Sequence, residues 1–206
     1  MRGQRVYGAV LLIASSLGLG ASQSLAEEAG VGAPAPALAL LDALGQSRSL
    51  ADYRGKYVVL EWFNPECPFV RKHYGSGSMQ SLQREMTAKG VVWLSIDSSA
   101  EGKQGHLTPA QAKTFQSREG SAASAILLDP QGTVGQLYGA KSTPHMFVIN
   151  PQGTLMYAGA IDDKPSVDPA DVPAAVNYVR QALAEAMAGK PVSVPQTKSY
   201  GCSVKY

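Results

Sequence analysis

The stretch that decides the fold runs from Leu60 to His73 and reads Leu-Glu-Trp-Phe-Asn-Pro-Glu-Cys-Pro-Phe-Val-Arg-Lys-His. It overlaps an apolar, β-branched and aromatic run, Tyr57 to Phe63, which is typical of a buried strand. Asn64 to Glu66 predict a turn, and Pro68 suits the first turn of a helix, because no backbone N–H is needed there. The sequence therefore predicts a central strand, a turn and a helix that begins directly after Cys67.

Cys67 stands where the predicted helix has unpaired N–H groups and the positive end of its dipole. Arg71, one turn later on the same face, adds a positive charge. Both features favour the thiolate and predict a pKa below about 8.5 for Cys67. The alternative is a buried and inert cysteine, because free cysteines are commonly buried.

The first 26 residues have the pattern of a secretory signal peptide. Arg2 and Arg5 form a basic start, Gly8 to Gly20 form an apolar segment, and Ser24 to Ala26 form a small-x-small cleavage site. The apolar segment is shorter than the roughly 20 residues that span a bilayer. We therefore expect an exported protein, located in a bacterial periplasm, with no stable membrane insertion after cleavage.

Charge and size narrow the classes of function. The chain has 18 basic and 16 acidic residues, and the signal peptide would remove two arginines and no acids, which leaves a mature net charge near zero. Neither nucleic acid nor a charged membrane surface is therefore expected as a partner. About 180 mature residues suffice for one domain with its own core, so cysteines are not needed as staples.

Cys67 and Cys202 are the two cysteines of the chain, and they lie far apart in sequence. In an oxidising compartment, two cysteines either pair or react. A bridge between them would close a long loop and would stabilise the fold by about 5 kcal/mol in the chain-entropy model. A purely structural disulfide therefore stays open as an interpretation.

Strand and helix patterns alternate along residues 32–189, which predicts one α/β domain with a partly parallel sheet. The predicted helices run from Pro68 to Lys89, from Pro109 toward Arg118 and from Asp171 to Ala188. The other predicted strands are Leu38–Asp42, Val91–Asp97, Ala125–Leu128, His145–Ile149 and Leu155–Ala158. Residues 190–206 contain two prolines and no periodicity, so they form a C-terminal tail that must dock to be ordered.

These features resemble the thioredoxin-like superfamily, and most closely its redoxin branch, which joins secreted thiol-disulfide oxidoreductases to peroxiredoxins of the AhpC/TSA type. The resemblance covers Gly32 to Gly189. Four segments carry it: Gly-Ala-Pro-Ala-Pro at Gly32–Pro36, Leu-Ala-Asp-Tyr-Arg-Gly-Lys-Tyr-Val-Val-Leu at Leu50–Leu60, Cys67-Pro68, and Ser-Thr-Pro at Ser142–Pro144. It implies a thioredoxin-like α/β fold with a central mixed sheet flanked by helices.

Glu61 lies within the apolar strand, where an acid must be neutralised, paired or functional. It precedes Cys67 by six residues, which is the spacing of the buried acid of thioredoxins. The resemblance therefore implies that Glu61 transfers protons and has a raised pKa. The alternative is a solvated glutamate, because alternate residues of a strand face opposite sides.

Thr143 and Pro144 stand directly before an apolar strand, where thioredoxin-like proteins place a cis-proline opposite the reactive cysteine. The resemblance implies a cis bond here, and a substrate-side wall formed by Thr143, Pro144 and Pro68. The Thr143 backbone would then pair with an extended substrate or with the tail. The alternative is a trans proline at the start of an edge strand.

The histidines are further candidates. His145 adjoins Pro144 and would face the thiol in a catalytic role, although a structural role is the alternative. His73 and His106 are expected to be solvated. The chain lacks the closely spaced cysteine and histidine pairs of common metal sites, so we expect no metal and no cofactor.

Some positions depart from the family pattern. Val70 occupies the place of the second cysteine of thioredoxins. Asn64 and Leu60 stand where peroxiredoxins carry a threonine or serine and a proline, and Thr143-Pro144 stands where they carry an arginine. Cys202 can replace the missing local cysteine, because thiol exchange requires only that the second sulfur reach the first.

We therefore predict a thiol-disulfide oxidoreductase that acts on protein disulfides and is served by an unidentified thiol reductant. In this interpretation Cys67 is the nucleophile, Cys202 is a remote resolving thiol and Glu61 is the proton shuttle. A peroxiredoxin-like thiol peroxidase, with peroxide as substrate, is one alternative. The other is a non-enzymatic module, either redox-inert or binding a soft metal through Cys67, Cys202 and a histidine.

Overall fold

Strand β3, Val58–Trp62, is buried along its whole length. It pairs in parallel with β4, Val92–Asp97, and antiparallel with β7, His145–Ile149. Its β-branched and aromatic side chains fill both faces, which is why this segment takes the centre of the sheet. The structure, a computed structural model, describes residues 29–206 together with Met1 and Gly3, so the expected signal peptide lies almost entirely outside the described residues.

Among residues 29–206, seven strands form one mixed sheet in the order β2, β1, β5, β4, β3, β7, β8. The remaining strands of this sheet are β1 Ala39–Asp42, β2 Ser47–Ser49, β5 Ala125–Leu128 and β8 Leu155–Gly159. A separate pair consists of β6, Ser142–Thr143, and β9, Cys202–Ser203. The predicted α/β class with a partly parallel sheet is confirmed.

Five helices accompany the sheet within the same described range. They are α1 Pro68–Gly75, α2 Ser78–Ala88, α3 Pro109–Glu119, α4 Thr133–Leu137 and α5 Tyr178–Met187. Side chains from α1, α2, α3 and α5 pack with Val59 in one hydrophobic cluster, whereas α4 joins Leu60 and Trp62 in a second. Because strand residues alternate, Glu61 shares the side of Val59, toward α1 and α2. None of the described helices is long and apolar enough to cross a bilayer.

Two helix predictions are wrong in their bounds. The single helix expected from Pro68 to Lys89 is divided into α1 and α2, because Gly77 adopts a left-handed conformation with φ +75°. The helix expected from Asp171 begins only at Tyr178, where the Asn177 side chain accepts a hydrogen bond from the Arg180 N–H. Residues 169–174 form a 3₁₀ turn that contains two prolines, Pro169 at its start and Pro173 inside it.

The C-terminal tail, residues 190–206, is docked on both sides of Cys202. Before the cysteine, the Thr197 N–H donates to the Ala158 carbonyl on β8. After it, the Lys205 carbonyl accepts a hydrogen bond from Ala100, and the Tyr206 hydroxyl donates to the Ala140 carbonyl over 2.7 Å. The tail thus covers β8, an edge of the main sheet, and then reaches β6.

The helix break yields a stability prediction. Gly77→Ala should destabilise the protein by about 1 kcal/mol, because an L-residue is strained at this left-handed φ. Gly75→Ala is the matched control, since a Cβ at either glycine meets no atom within 4 Å and Gly75 has no positive φ. Urea unfolding should show Gly75→Ala equal to or more stable than wild type; equal loss in both variants would contradict this explanation of the break.

Candidate active site

Cys67 is the N-cap residue of α1, and Pro68 occupies the first helical turn, as the sequence predicts. The preceding turn is held by Asn64, whose carbonyl accepts the Cys67 N–H and whose side-chain oxygen accepts the Glu66 N–H at 2.8 Å. Cys67 is only 1% exposed. The helix start therefore presents the thiol inward, under other parts of the chain, while Pro68 is exposed.

The structure brings Cys202 to Cys67 through backbone pairing with the strand that precedes Pro144. In the antiparallel pair of β6 and β9, Cys202 stands opposite Thr143. The Cys67 Sγ donates to the Thr143 carbonyl over 3.1 Å, and Cys202, paired with Thr143, lies near enough for each thiol to shift the pKa of the other. Both thiols are free, and Cys202 is the more accessible of the two.

Gly201 makes this approach possible. A Cβ at this position would lie 1.9 Å from the Thr143 carbonyl oxygen, and the residue has φ +130°. No side chain fits there without moving the tail, so the glycine lets Cys202 come beside Thr143.

The pKa values of the two thiols are shifted in opposite directions. Burial raises the pKa of Cys67, but hydrogen bonds from the Cys202 side chain, from Thr143 and from backbone N–H groups outweigh it, so this pKa lies below its ordinary value. Burial, together with the hydrogen bond to Cys67 and its negative charge, raises the pKa of Cys202 to about 11. Within the pair, Cys67 is therefore the group that ionises first.

Arg71 is not among the groups that lower the pKa of Cys67, contrary to the expectation from the sequence. Its side chain is exposed, and its Nε donates to the Pro65 carbonyl over 3.2 Å. The predicted direction of the Cys67 pKa is thus found, but its main source is Cys202 and Thr143 rather than this arginine. The reason is that Arg71 donates to the Pro65 carbonyl instead, whereas Cys202, on a tail whose position the sequence does not predict, is paired with Thr143 beside the thiol.

The Thr143–Pro144 bond is cis, as the resemblance implies, and the trans alternative is wrong. Both residues are buried beside the cysteine pair. The Thr143 backbone is occupied by the tail, which is one of the two partners expected for it. The tail therefore occupies the Thr143 backbone, which the resemblance assigns either to an extended substrate or to the tail.

Glu61 is fully buried, so the solvated alternative is wrong. Burial raises the pKa of its carboxyl group, although four hydrogen bonds act in the opposite direction. The four donors are Tyr74 Oη at 3.0 Å, Gln83 Nε2 at 3.2 Å, Trp93 Nε1 at 2.7 Å and Ser95 Oγ at 2.8 Å. Within residues 29–206 no hydrogen bond joins Glu61 directly to Cys67, so a proton would need an intervening carrier.

In the part of the chain that the structure describes, no histidine is hydrogen-bonded to a cysteine sulfur. His145 is buried, accepts the Lys141 N–H at 3.3 Å and lies 4.4 Å from the Phe147 ring; burial lowers its pKa to about 4. His106 is half-buried and contacts the Ser99 carbonyl at 2.9 Å. The expectation that His73 is solvated is wrong, because it is 2% exposed.

Sequence reasoning missed a polar cluster in which His73 takes part. The cluster lies beneath the tail and consists of Lys72, His73, Asp162 and Tyr200. Tyr200 belongs to the tail itself and precedes Cys202 by two residues. The sequence around Lys72 and His73 does not predict their burial, because the partners that make it possible, Asp162 and Tyr200, are far away in the chain. For the metal-binding alternative, the described residues contain no group of three or more histidine, cysteine and acidic side chains placed to hold an ion.

The acidity of the pair can be tested directly. Cys202→Ala should raise the pKa of Cys67, because it removes a side chain that stabilises the thiolate by an amount on the order of 1 kcal/mol. Arg71→Ala should have a smaller effect, since its exposed charge is screened. Thiolate absorbance followed against pH measures both, and a larger effect of Arg71→Ala would contradict this assignment.

Comparison with solved structures supports a thioredoxin-like fold. An uncharacterized conserved protein from Geobacillus kaustophilus is 26% identical, with a TM-score of 0.75 over 86% of this chain and 93% of that one. A putative thiol:disulfide interchange protein DsbE from Chlorobium tepidum is 24% identical, with a TM-score of 0.54 over 75% and 96%. The thioredoxin domain of a thiol-disulfide oxidoreductase from Bacteroides vulgatus is 20% identical, with a TM-score of 0.51 over 70% and 96%.

A family model agrees with these structures. The model of the AhpC/TSA family matches residues 31–158, which is more than half of the chain and includes β3, Cys67 and the cis-proline. No curated protein matches the chain significantly. The chain therefore belongs to the AhpC/TSA family and has a thioredoxin-like fold and a thiol-based redox function.

Proposed function

We propose that the protein is a thiol-disulfide oxidoreductase in which Cys67 is the nucleophile and Cys202 the resolving thiol. The observation that carries this proposal is the placement of Cys202 opposite Thr143, the residue whose carbonyl accepts the hydrogen bond from the Cys67 Sγ. This arrangement offers a partner sulfur at the position where Val70 leaves none on the helix itself.

The proposed reaction has two exchange steps. The Cys67 thiolate attacks one sulfur of a protein disulfide, forms a mixed disulfide and releases the other sulfur as a thiolate. Cys202, once deprotonated, attacks the Cys67 sulfur, which forms the Cys67–Cys202 disulfide and releases the second substrate thiolate. The substrate gains two electrons, and an external thiol reductant returns two electrons to the protein.

The acidity of Cys202 suits this order of events. Its raised pKa has three causes: burial, the hydrogen bond to Cys67 and the Cys67 negative charge. Formation of the mixed disulfide removes the Cys67 charge. The pKa of Cys202 therefore falls at the step in which this thiol must act as a nucleophile.

Glu61 is proposed as the proton shuttle, with a bridging water carrying the proton to or from the sulfurs. Its burial and raised pKa support this role, because a carboxyl group with a raised pKa takes up a proton more readily than an ordinary glutamate does. Thr143, Pro144 and Pro68 are proposed to bind the substrate after the tail has moved, with the Thr143 backbone pairing to an extended chain.

The proposal extends to organisation and location. Residues 1–26 would be a cleaved signal peptide, residues 32–189 the redoxin domain, and residues 190–206 a functional tail. Location in the periplasm is supported by the signal pattern and by the likeness to a thiol:disulfide interchange protein.

Thiol peroxidase activity is the second candidate, because the AhpC/TSA family match favours it. Peroxide is small, so it could reach Cys67 with less movement of the tail than a protein substrate needs. The same two cysteines would serve, with Cys202 resolving the sulfenic acid formed on Cys67.

The test compares second-order rate constants for insulin-disulfide reduction and for peroxide consumption with a thiol donor. Cys67→Ser should abolish both activities, and Cys202→Ser should leave the first step but stop turnover at a mixed disulfide or sulfenic acid. Glu61→Gln should slow insulin reduction roughly 10- to 1000-fold and affect the peroxide reaction less, since attack on peroxide starts from an existing thiolate.

Glu61→Gln is a fair replacement at this site. Its carbonyl oxygen can accept from Gln83, Trp93 and Ser95, while its amide can donate to the Tyr74 hydroxyl oxygen. Unfolding in urea serves as the control for stability. Activity retained by Cys67→Ser would refute the assignment as a whole, whereas an unchanged Glu61→Gln would refute only the proton shuttle.

A further inference from the structure

The polar cluster beneath the tail is built from ionisable groups that the proposed exchange reaction does not use. The side chains of Lys72, His73 and Asp162 are 0%, 2% and 3% exposed. Lys72 Nζ donates to the Lys164 carbonyl at 2.8 Å and lies 4.0 Å from the Asp162 carboxylate. Burying a charged group destabilises the fold unless the group is paired and hydrogen-bonded, so the loss of any one partner should destabilise this cluster.

Tyr200 is the contribution of the tail to this cluster. Its hydroxyl donates to Asp162 Oδ1 at 2.5 Å and lies 3.2 Å from His73 Nε2. Burial lowers the pKa of His73 to about 4, so its ring is neutral near pH 7 and pairs with the hydroxyl as an uncharged group. The phenol thus completes the hydrogen bonding of a buried carboxylate.

The aromatic ring of Tyr200 also contacts side chains of α1. It lies 5.8 Å from the Phe69 ring on α1, and Lys72 Nζ stands 5.9 Å from its centroid, within the range of a cation–π contact. Phe69 and Lys72 follow Cys67 on the same helix. The helix that positions the nucleophile therefore also holds the tail.

We infer that Tyr200 is a latch, a positioning residue that holds Cys202 against Cys67 and keeps Cys67 covered until a substrate displaces the tail. Only Gly201, fixed against the Thr143 carbonyl, separates Tyr200 from Cys202. Release of the phenol therefore frees the segment that pairs with β6. The inference rests on the proposed function for its redox consequence, but the covering of Cys67 is independent of it.

The test uses Tyr200→Phe, which keeps the ring contacts and removes the hydroxyl. Tyr57→Phe is the matched control, because it also removes one tyrosine hydroxyl, here one that donates to the Ala186 backbone carbonyl at 3.1 Å in a bond that involves no residue of the tail. In a Cys202→Ser background, the rate of Cys67 alkylation by iodoacetamide reports opening of the tail. Tyr200→Phe should accelerate it roughly 10- to 100-fold, as expected for loss of a hydrogen bond to a charged group, and Tyr57→Phe should not.

A second measurement connects the latch to redox chemistry. With both cysteines present, the rate at which Cys67 attacks glutathione disulfide, forming a mixed disulfide and releasing glutathione thiolate, should rise by a similar factor in Tyr200→Phe alone, because this attack also needs the tail to open. Unchanged alkylation in Tyr200→Phe, or equal acceleration in Tyr57→Phe, would overturn the latch. Absence of any Cys67–Cys202 disulfide in wild type would instead refute the proposed function, while the alkylation result would still decide the latch.

Discussion

The pairing of two backbone segments, β6 and β9, is the interaction on which the candidate site depends. It places Cys202 opposite Thr143, directly before the cis-proline and against the helix start that carries Cys67. Without it the chain would have one buried thiol at a helix N-terminus and one thiol on an undirected tail. With it, two cysteines far apart in sequence become a pair whose members differ in acidity, which is what directed thiol exchange requires.

In the proposed function a substrate pairs with the same backbone edge, so the tail and the substrate would compete for it. Anchors on both sides of Cys202, at Thr197 and Tyr200 before it and at Tyr206 after it, hold the reduced protein in its covered form. Each such hydrogen bond contributes on the order of 1 kcal/mol net. In the latch proposal the tail opens locally while the sheet and its two hydrophobic clusters stay folded, because the tail residues packed against those clusters are limited to Val192, Tyr200, Cys202 and Val204.

Local patterns made much of the fold and part of the site predictable. The strand, turn and proline around Cys67 specify its helix start, and burial of Glu61 follows from the apolar strand around it. The rest depends on distant partners. The burial of His73 requires Asp162 and the tail, and a two-residue strand at Cys202 has no periodicity to read. The break at Gly77 was missed because a glycine in a helical pattern signals either a tolerated residue or an end.

Peptide mapping by mass spectrometry after mild oxidation tests the central claim most directly, since it identifies which sulfurs become linked. The account predicts an intramolecular disulfide between the peptides that contain Cys67 and Cys202, formed in monomeric protein and reversed by a thiol reductant. Two free thiols after oxidation, or disulfides found only between different molecules, would contradict the claim that the tail brings a resolving cysteine to the nucleophile.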